Sequence, residues 1–146
     1  VLINNYKNIM NREKLVDITI LLLRLFAGFM FIQVGGMKIF GWFNMMPPGT
    51  TITVLSQMWI GGILELIGGA FIMAGLFTRP VAFILAGEMA VAYWQFHAPQ
   101  SIWPIVNQGQ PAILYCFIFL FLAAYGAGRF SLDFLIFKKK KSSITE

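Results

Sequence analysis

The chain has 146 residues, about the size of one domain, and a net charge of +5. Apolar residues make up 58 % and charged residues 12 %; an ordinary soluble domain is roughly half apolar and a quarter charged. The mean hydropathy of +0.75 and the single Cys and single His point to a small membrane protein, and they exclude an internal disulfide, a CxxC pair, a haem held from both sides and most of a zinc shell.

Residues 1–16 read as a polar N-terminal segment with Lys7, Arg12, Glu13 and Lys14. A bilayer core needs about 20 mostly apolar residues in helical form, and residues 17–40 supply the first such run, broken only by Arg24, Gln33 and Lys38. That run is too long for a signal peptide and no small-residue cleavage site follows it, so a retained helix is predicted. Further spans are predicted over 59–77, 80–97 and 111–127, with Pro80 and Pro111 in first-turn positions. The runs do not alternate as barrel strands would. The prediction is an all-α membrane protein, a bundle of four transmembrane helices within a membrane domain at 17–133, followed by a basic tail at 134–146.

Lys7, Arg12, Lys14, Arg79 and Lys138–Lys141 all fall on one side of such a bundle, while 41–58 and 98–110 hold no charged residue. By the positive-inside rule both termini face the cytoplasm of a bacterial-type inner membrane. Trp42, Trp59, Trp94 and Trp103 fall at the opposite boundary, where an interfacial aromatic belt belongs. The Lys138–Lys141 run reads as an anchor on anionic lipid headgroups. No aromatic platform or folded basic face accompanies it, so a nucleic-acid partner is not expected.

Charges inside a span cost about 2.5–3.5 kcal/mol each and usually face protein or water. Arg24, Gly28, Phe31, Gly35 and Lys38 form one stripe on the first helix. Each charge either snorkels to its own interface or serves a helix contact, which the glycines favour. Gly61, Gly62, Gly68 and Gly69 flank Glu65 at offsets of three and four, a narrow face with the carboxylate at its centre. A carboxylate buried there either keeps a proton or finds a cation, and Lys38 at similar depth is the economical partner. On the third helix, Glu88 shares a face with Ala92 and Gln95, while Ala82, Ala86, Ala90, Tyr93 and His97 run along another side. Glu88 is either a protonated acid bonded to a neighbouring helix or part of a reacting group. His97 is either an ordinary interfacial histidine or the outer member of a Glu65–Glu88–His97 proton-handling set. Trp103, Pro104, Asn107 and Gln110 form either a cavity cap or a plain turn, and Cys116 reads as a small apolar filler.

Arg24-x3-Gly28-x2-Phe31-x3-Gly35-x2-Lys38 and Gly62-x2-Glu65-x2-Gly68-Gly69 are followed by Gly75-Leu76-Phe77-Thr78-Arg79. His97 with Trp103-Pro104 and Asn107, and then Gly126-x-Gly128-x2-Ser131-Leu132-Asp133, complete the order. In this sequence of pieces the chain resembles the DoxX family of small four-helix membrane proteins. Gln110 departs from the pattern, standing where an acidic residue is expected. The resemblance implies an inner-membrane protein often linked with redox systems, with relatives beside thiosulfate:quinone oxidoreductase and in an oxidative-stress complex. It predicts fold better than reaction.

Two functional expectations follow. In the first, the chain is a redox-linked subunit that binds a quinone or similar lipophilic molecule. Glu65, Glu88 and His97 then handle protons, and Lys38, Gln95, Trp103 and Asn107 contact the ligand. Arg24 and the glycines at 28, 35, 61, 62, 68 and 69 play structural parts. The sequence offers no haem, Fe–S or flavin motif, so electrons come from a redox partner protein. In the second, the chain is a non-catalytic accessory or scaffold subunit of a larger membrane complex. A transporter ranks last, since no inverted repeat or broken helix is visible.

Overall fold

Residues 2–27 contain neither Gly nor Pro, so nothing in them stops a helix that begins early. The computed structural model describes residues 2–46, 49 and 52–136, with backbone alone for 2–9, and Lys138–Lys141 lie outside the described residues. In it α1 runs over Leu2–Phe40. The helix therefore starts well before the expected 17, because the polar segment continues the turns of the apolar run. A 3₁₀ turn, Trp42–Asn44, follows the left-handed Gly41.

The second helix, α2, spans Gln57–Ala74 and is capped by the Ser56 hydroxyl, which accepts from the Trp59 N–H at 3.2 Å. It ends three residues before the expected 77. Gly75 takes φ 67°, and the Leu76 N–H reaches back to the Phe71 carbonyl at 3.0 Å, a Schellman stop that glycine makes without strain. Next come α3 at Thr78–Ala92, a π-turn at Tyr93–His97, and α4 at Gln110–Tyr125 with proline in its first turn. A short helical segment covers 132–136. Regular structure among the described residues is entirely helical.

Consecutive helices run antiparallel, and the chain packs as two hairpins, α1 on α2 and α3 on α4. Phe31 joins them at the centre, set edge-on against Tyr115 and Phe119 of α4 at 4.8 and 4.6 Å. The buried core is thin, while α1 alone leaves Phe26, Phe29, Met30 and Phe40 exposed. Met10–Phe40 and Gln57–Ala74 are each long and apolar enough to cross a membrane.

The α1–α2 contact is made by backbone. A Cβ placed on Gly28 would stand 2.5 Å from the Gly69 carbonyl oxygen, and one on Gly69 would stand 2.7 Å from that of Gly28. One helical repeat along, a Cβ on Gly35 would stand 2.5 Å from Leu66 N and 2.6 Å from the Gly62 oxygen. Two glycine pairs spaced by seven residues thus let the helix axes approach without intervening side chains.

The opposite end of the bundle is held by a polar clasp. Arg24 is wholly buried and does not snorkel; its guanidinium donates to the Phe130 carbonyl and, at 3.5 Å, to that of Ile72. The Asp133 carboxylate accepts from the Phe77 and Thr78 N–H groups at 2.7 and 2.8 Å, capping α3 from the far end of the chain. Arg129 closes onto α1 through Asp17 at 3.3 Å and Glu13 at 2.9 Å.

Substituting Gly35→Ala is expected to lower stability by about 1–3 kcal/mol, the range for overpacking a close contact. Gly87→Ala, where a Cβ meets nothing within 4 Å, should leave it unchanged or raised. Thermal melts in mild detergent check both; equal melting temperatures for the two variants would contradict the backbone contact.

Candidate functional site

At about 100° per residue, the four glycines around Glu65 span a sector of roughly 120° rather than a narrow stripe. The structure divides that sector between two neighbours. Gly62 and Gly69 face α1, where Cβ atoms would meet Lys38 Cβ and the Gly28 oxygen. Gly61 and Gly68 face α3, where they would meet Glu88 Oε1 and the Leu85 side chain. Glu65 lies between the two sets, at the junction of three helices, with 3 % of its side chain exposed.

Lys38 Nζ donates to Glu65 Oε1 at 2.7 Å, so the ammonium at the end of α1 meets the carboxylate midway along α2. Glu88 approaches the same place from α3. A Cβ at Gly61 would stand 3.0 Å from Glu88 Oε1 and 4.0 Å from Lys38 Nζ, so the missing side chain leaves room for both head groups. Both carboxylates therefore share the neighbourhood of one ammonium, whose hydrogen bond goes to Glu65. Glu65 Oε2 and Glu88 Oε2 are both buried without a hydrogen-bond partner among the described residues.

His97 reaches this region through the π-turn. Nine residues separate it from Glu88, which places the two on opposite faces of a regular α-helix. The i→i+5 bond from the Ala98 N–H to the Tyr93 carbonyl at 2.9 Å takes in one extra residue and turns His97 back by roughly 100°. Its Nδ1 lies 2.8 Å from the Asn107 carbonyl oxygen. A carbonyl only accepts, so Nδ1 carries the hydrogen and Nε2 is the acceptor of the neutral ring.

Lys38, Glu65, Glu88 and His97 line one cavity of about 510 Å³ to which all four helices contribute. Its other walls are mostly apolar, with Phe31, Leu64, Met89 and Ala112 among them, and Tyr115 closes the α4 side. Such a set can donate N–H bonds to an oxygen in the cavity and exchange protons with it.

Other predicted positions are placed elsewhere. Gln95 is exposed and accepts a hydrogen bond from Gln57 Nε2, outside the cavity wall. Trp103 is 68 % exposed and does not line the cavity. Asn107 is buried, but its side chain is occupied by the Ser101 carbonyl and the Gly109 N–H, both at 2.7 Å; it shapes the loop that holds His97. Gln57 and Tyr115 line the cavity without having been expected there from the sequence; no periodicity marks Gln57, which follows the loop at the helix cap.

A family model described as DoxX matches residues 19–98. The chain belongs to the DoxX family. With two helices able to cross a bilayer, this DoxX-family chain is a membrane protein. An uncharacterized protein of Haemophilus influenzae is 36 % identical to it over 132 residues, covering 88 % of this chain and 98 % of the relative. No solved structure matches. The matched DoxX segment carries Lys38, Glu65, Glu88 and His97 together, whereas Asn107 and Asp133 lie beyond it.

Removing one partner of a buried ion pair costs about 3–5 kcal/mol, and the 23 % exposure of Lys38 puts this pair at or below the lower figure. Lys38→Met and Glu65→Gln are each expected to destabilise the protein, and the double variant by at least about 1 kcal/mol less than their sum. Additive losses in a double-mutant cycle of detergent melts would contradict direct pairing.

Proposed function

We propose that this protein is an inner-membrane subunit of a redox-linked system that binds a quinone-like lipophilic molecule between its helices. The observation that carries this reading is a mostly apolar cavity with Lys38, Glu65, Glu88 and His97 converging in it. The fit is chemical. Apolar walls suit a ring, Lys38 supplies N–H donors to a ring oxygen, and the two orphaned oxygens can donate to a quinone oxygen when protonated or accept from a quinol hydroxyl when ionised. A quinone, when bound, supplies the capacity to take up electrons together with protons. Glu65, Glu88 and the His97 ring are the residues that would give and receive those protons. With one Cys and one His in the chain, the electrons are assigned to a redox partner protein within a larger membrane complex.

The same reading has all four helices crossing the bilayer. The continuous helical stretch 78–97, made of α3 and its π-turn, is about 30 Å long at roughly 1.5 Å per residue, the thickness of a hydrocarbon core. The uncharged described stretches 41–46, 52–56 and 98–109 lie at one end, and Arg12, Lys14 and Arg79 at the other. That asymmetry supports both termini on the cytoplasmic side.

Protein purified in mild detergent from its native membrane is expected to carry quinone in its lipid extract at close to one per chain. Glu65→Gln and His97→Ala should each lower that content severalfold per folded chain, counted in the monodisperse fraction. Quinone content that is absent, or equal in all three proteins, contradicts the reading. Retention of one large complex by all three would then favour an accessory subunit.

A further inference from the structure

The cavity has one weakly closed side. Between α2 and α3 the helices touch at Gly68, where a Cβ would stand 2.8 Å from Leu85 Cδ2. They are tied again at the far end, where Gln57 Nε2 donates to Gln95 Oε1. Between these two points the facing residues are Gly61, which has no side chain, and Glu88, whose carboxylate turns into the cavity. Gln57 and Gly68 are eleven residues apart, so the gap runs for roughly 16 Å along the seam. Its rim is Ile60, Ile84 and Val91, each about half exposed and each also lining the cavity. No charged residue stands on that rim; the charged groups are inside, and Glu65 among them is nearly fully buried with one oxygen unpartnered.

We infer that this seam is a lateral window through which the ligand passes from the bilayer into the cavity. Its substrate class is a molecule with a polar, hydrogen-bonding head and a hydrocarbon tail. The head reaches Lys38 and Glu88, and the tail lies in the window along Ile60, Ile84 and Val91 and continues into lipid. A head without a tail leaves an apolar gap open beside buried charge, and a water-soluble molecule has no apolar path to it. Ile60, Ile84 and Val91 are therefore specificity-determining residues, although none touches the polar head. The inference rests on the reading of the cavity as a ligand site.

The test follows loading of decylubiquinone into the full chain in phosphatidylcholine nanodiscs, by stopped-flow quenching of its tryptophans. Ala92→Phe, which fills the cavity, gives the signal from lipid-dissolved probe alone. The Ile84→Phe/Val91→Phe variant is expected to load at least about tenfold more slowly than wild type, and Ile84→Ala/Val91→Ala faster, all reaching a similar final amplitude. Both sites face outward, so folding is spared in at least the alanine pair. Rates in both pairs within twofold of wild type, with normal amplitude, overturn the window and leave the cavity reading standing. Loading that accelerates only in Gln57→Ala marks passage from the aqueous end and overturns the window in the same way. A wild-type amplitude no larger than that of Ala92→Phe overturns both.

Discussion

The arrangement depends on the approach of two backbones. Where Gly28 meets Gly69 and Gly35 meets Gly62, α1 and α2 come together with no side chain between them. Dispersion and close packing hold such a contact, because lipid offers helices no hydrophobic reason to associate. Its consequence is electrostatic. Lys38 lies one turn beyond Gly35 on α1 with its Cβ packed over Gly62, and its long stem spans the next turn of the antiparallel α2, so the contact that seats the glycines also lets the ammonium reach the Glu65 carboxylate at 2.7 Å. Two charges that would each be costly alone in the membrane share one solvation shell made of protein.

The two ends of the bundle use their polar residues differently. At one end Arg24 and Asp133 are spent on backbone groups and Arg129 on Asp17 and Glu13, tying the segment after α4 to α1, α2 and the start of α3. That clasp fixes the hairpins relative to one another. At the other end the loop 98–109 folds around buried Asn107 and presents its carbonyl to His97. The polar atoms left over there, Glu65 Oε2 and Glu88 Oε2, belong to the cavity. The clasp has two such atoms of its own, Arg24 Nε and Thr78 Oγ1, but there they sit beside groups already bonded to backbone, whereas the two carboxylate oxygens border open space.

Much of this was legible in the sequence because it follows from helical period. The stripe through Gly28, Gly35 and Lys38, and the glycines about Glu65, marked the α1–α2 contact and its ion pair. Treating the glycines as one face conceals that offsets of −4 and +3 fall on one side of Glu65 and offsets of −3 and +4 on the other, so the third helix at Gly61 and Gly68 is not foreseen. His97 was placed on a different stripe from Glu88, since a π-turn adds a residue without any signature in the residue types. Asp133 as the cap of α3 was hidden by its distance of 55 residues from Thr78. The early start of α1 was missed because polarity was read as the end of a helix, although it marks only where apolar burial ends.

The most direct measurement is a cryo-EM map, at side-chain resolution, of the full chain in nanodiscs loaded with decylubiquinone. The account predicts α1 and α2 in backbone contact at Gly28 and Gly69, Lys38 bonded to Glu65, and ring density in the cavity bounded by Lys38, Glu88 and His97. Helices separated at the glycine pairs, or a cavity free of density with the ring bound elsewhere, would contradict it.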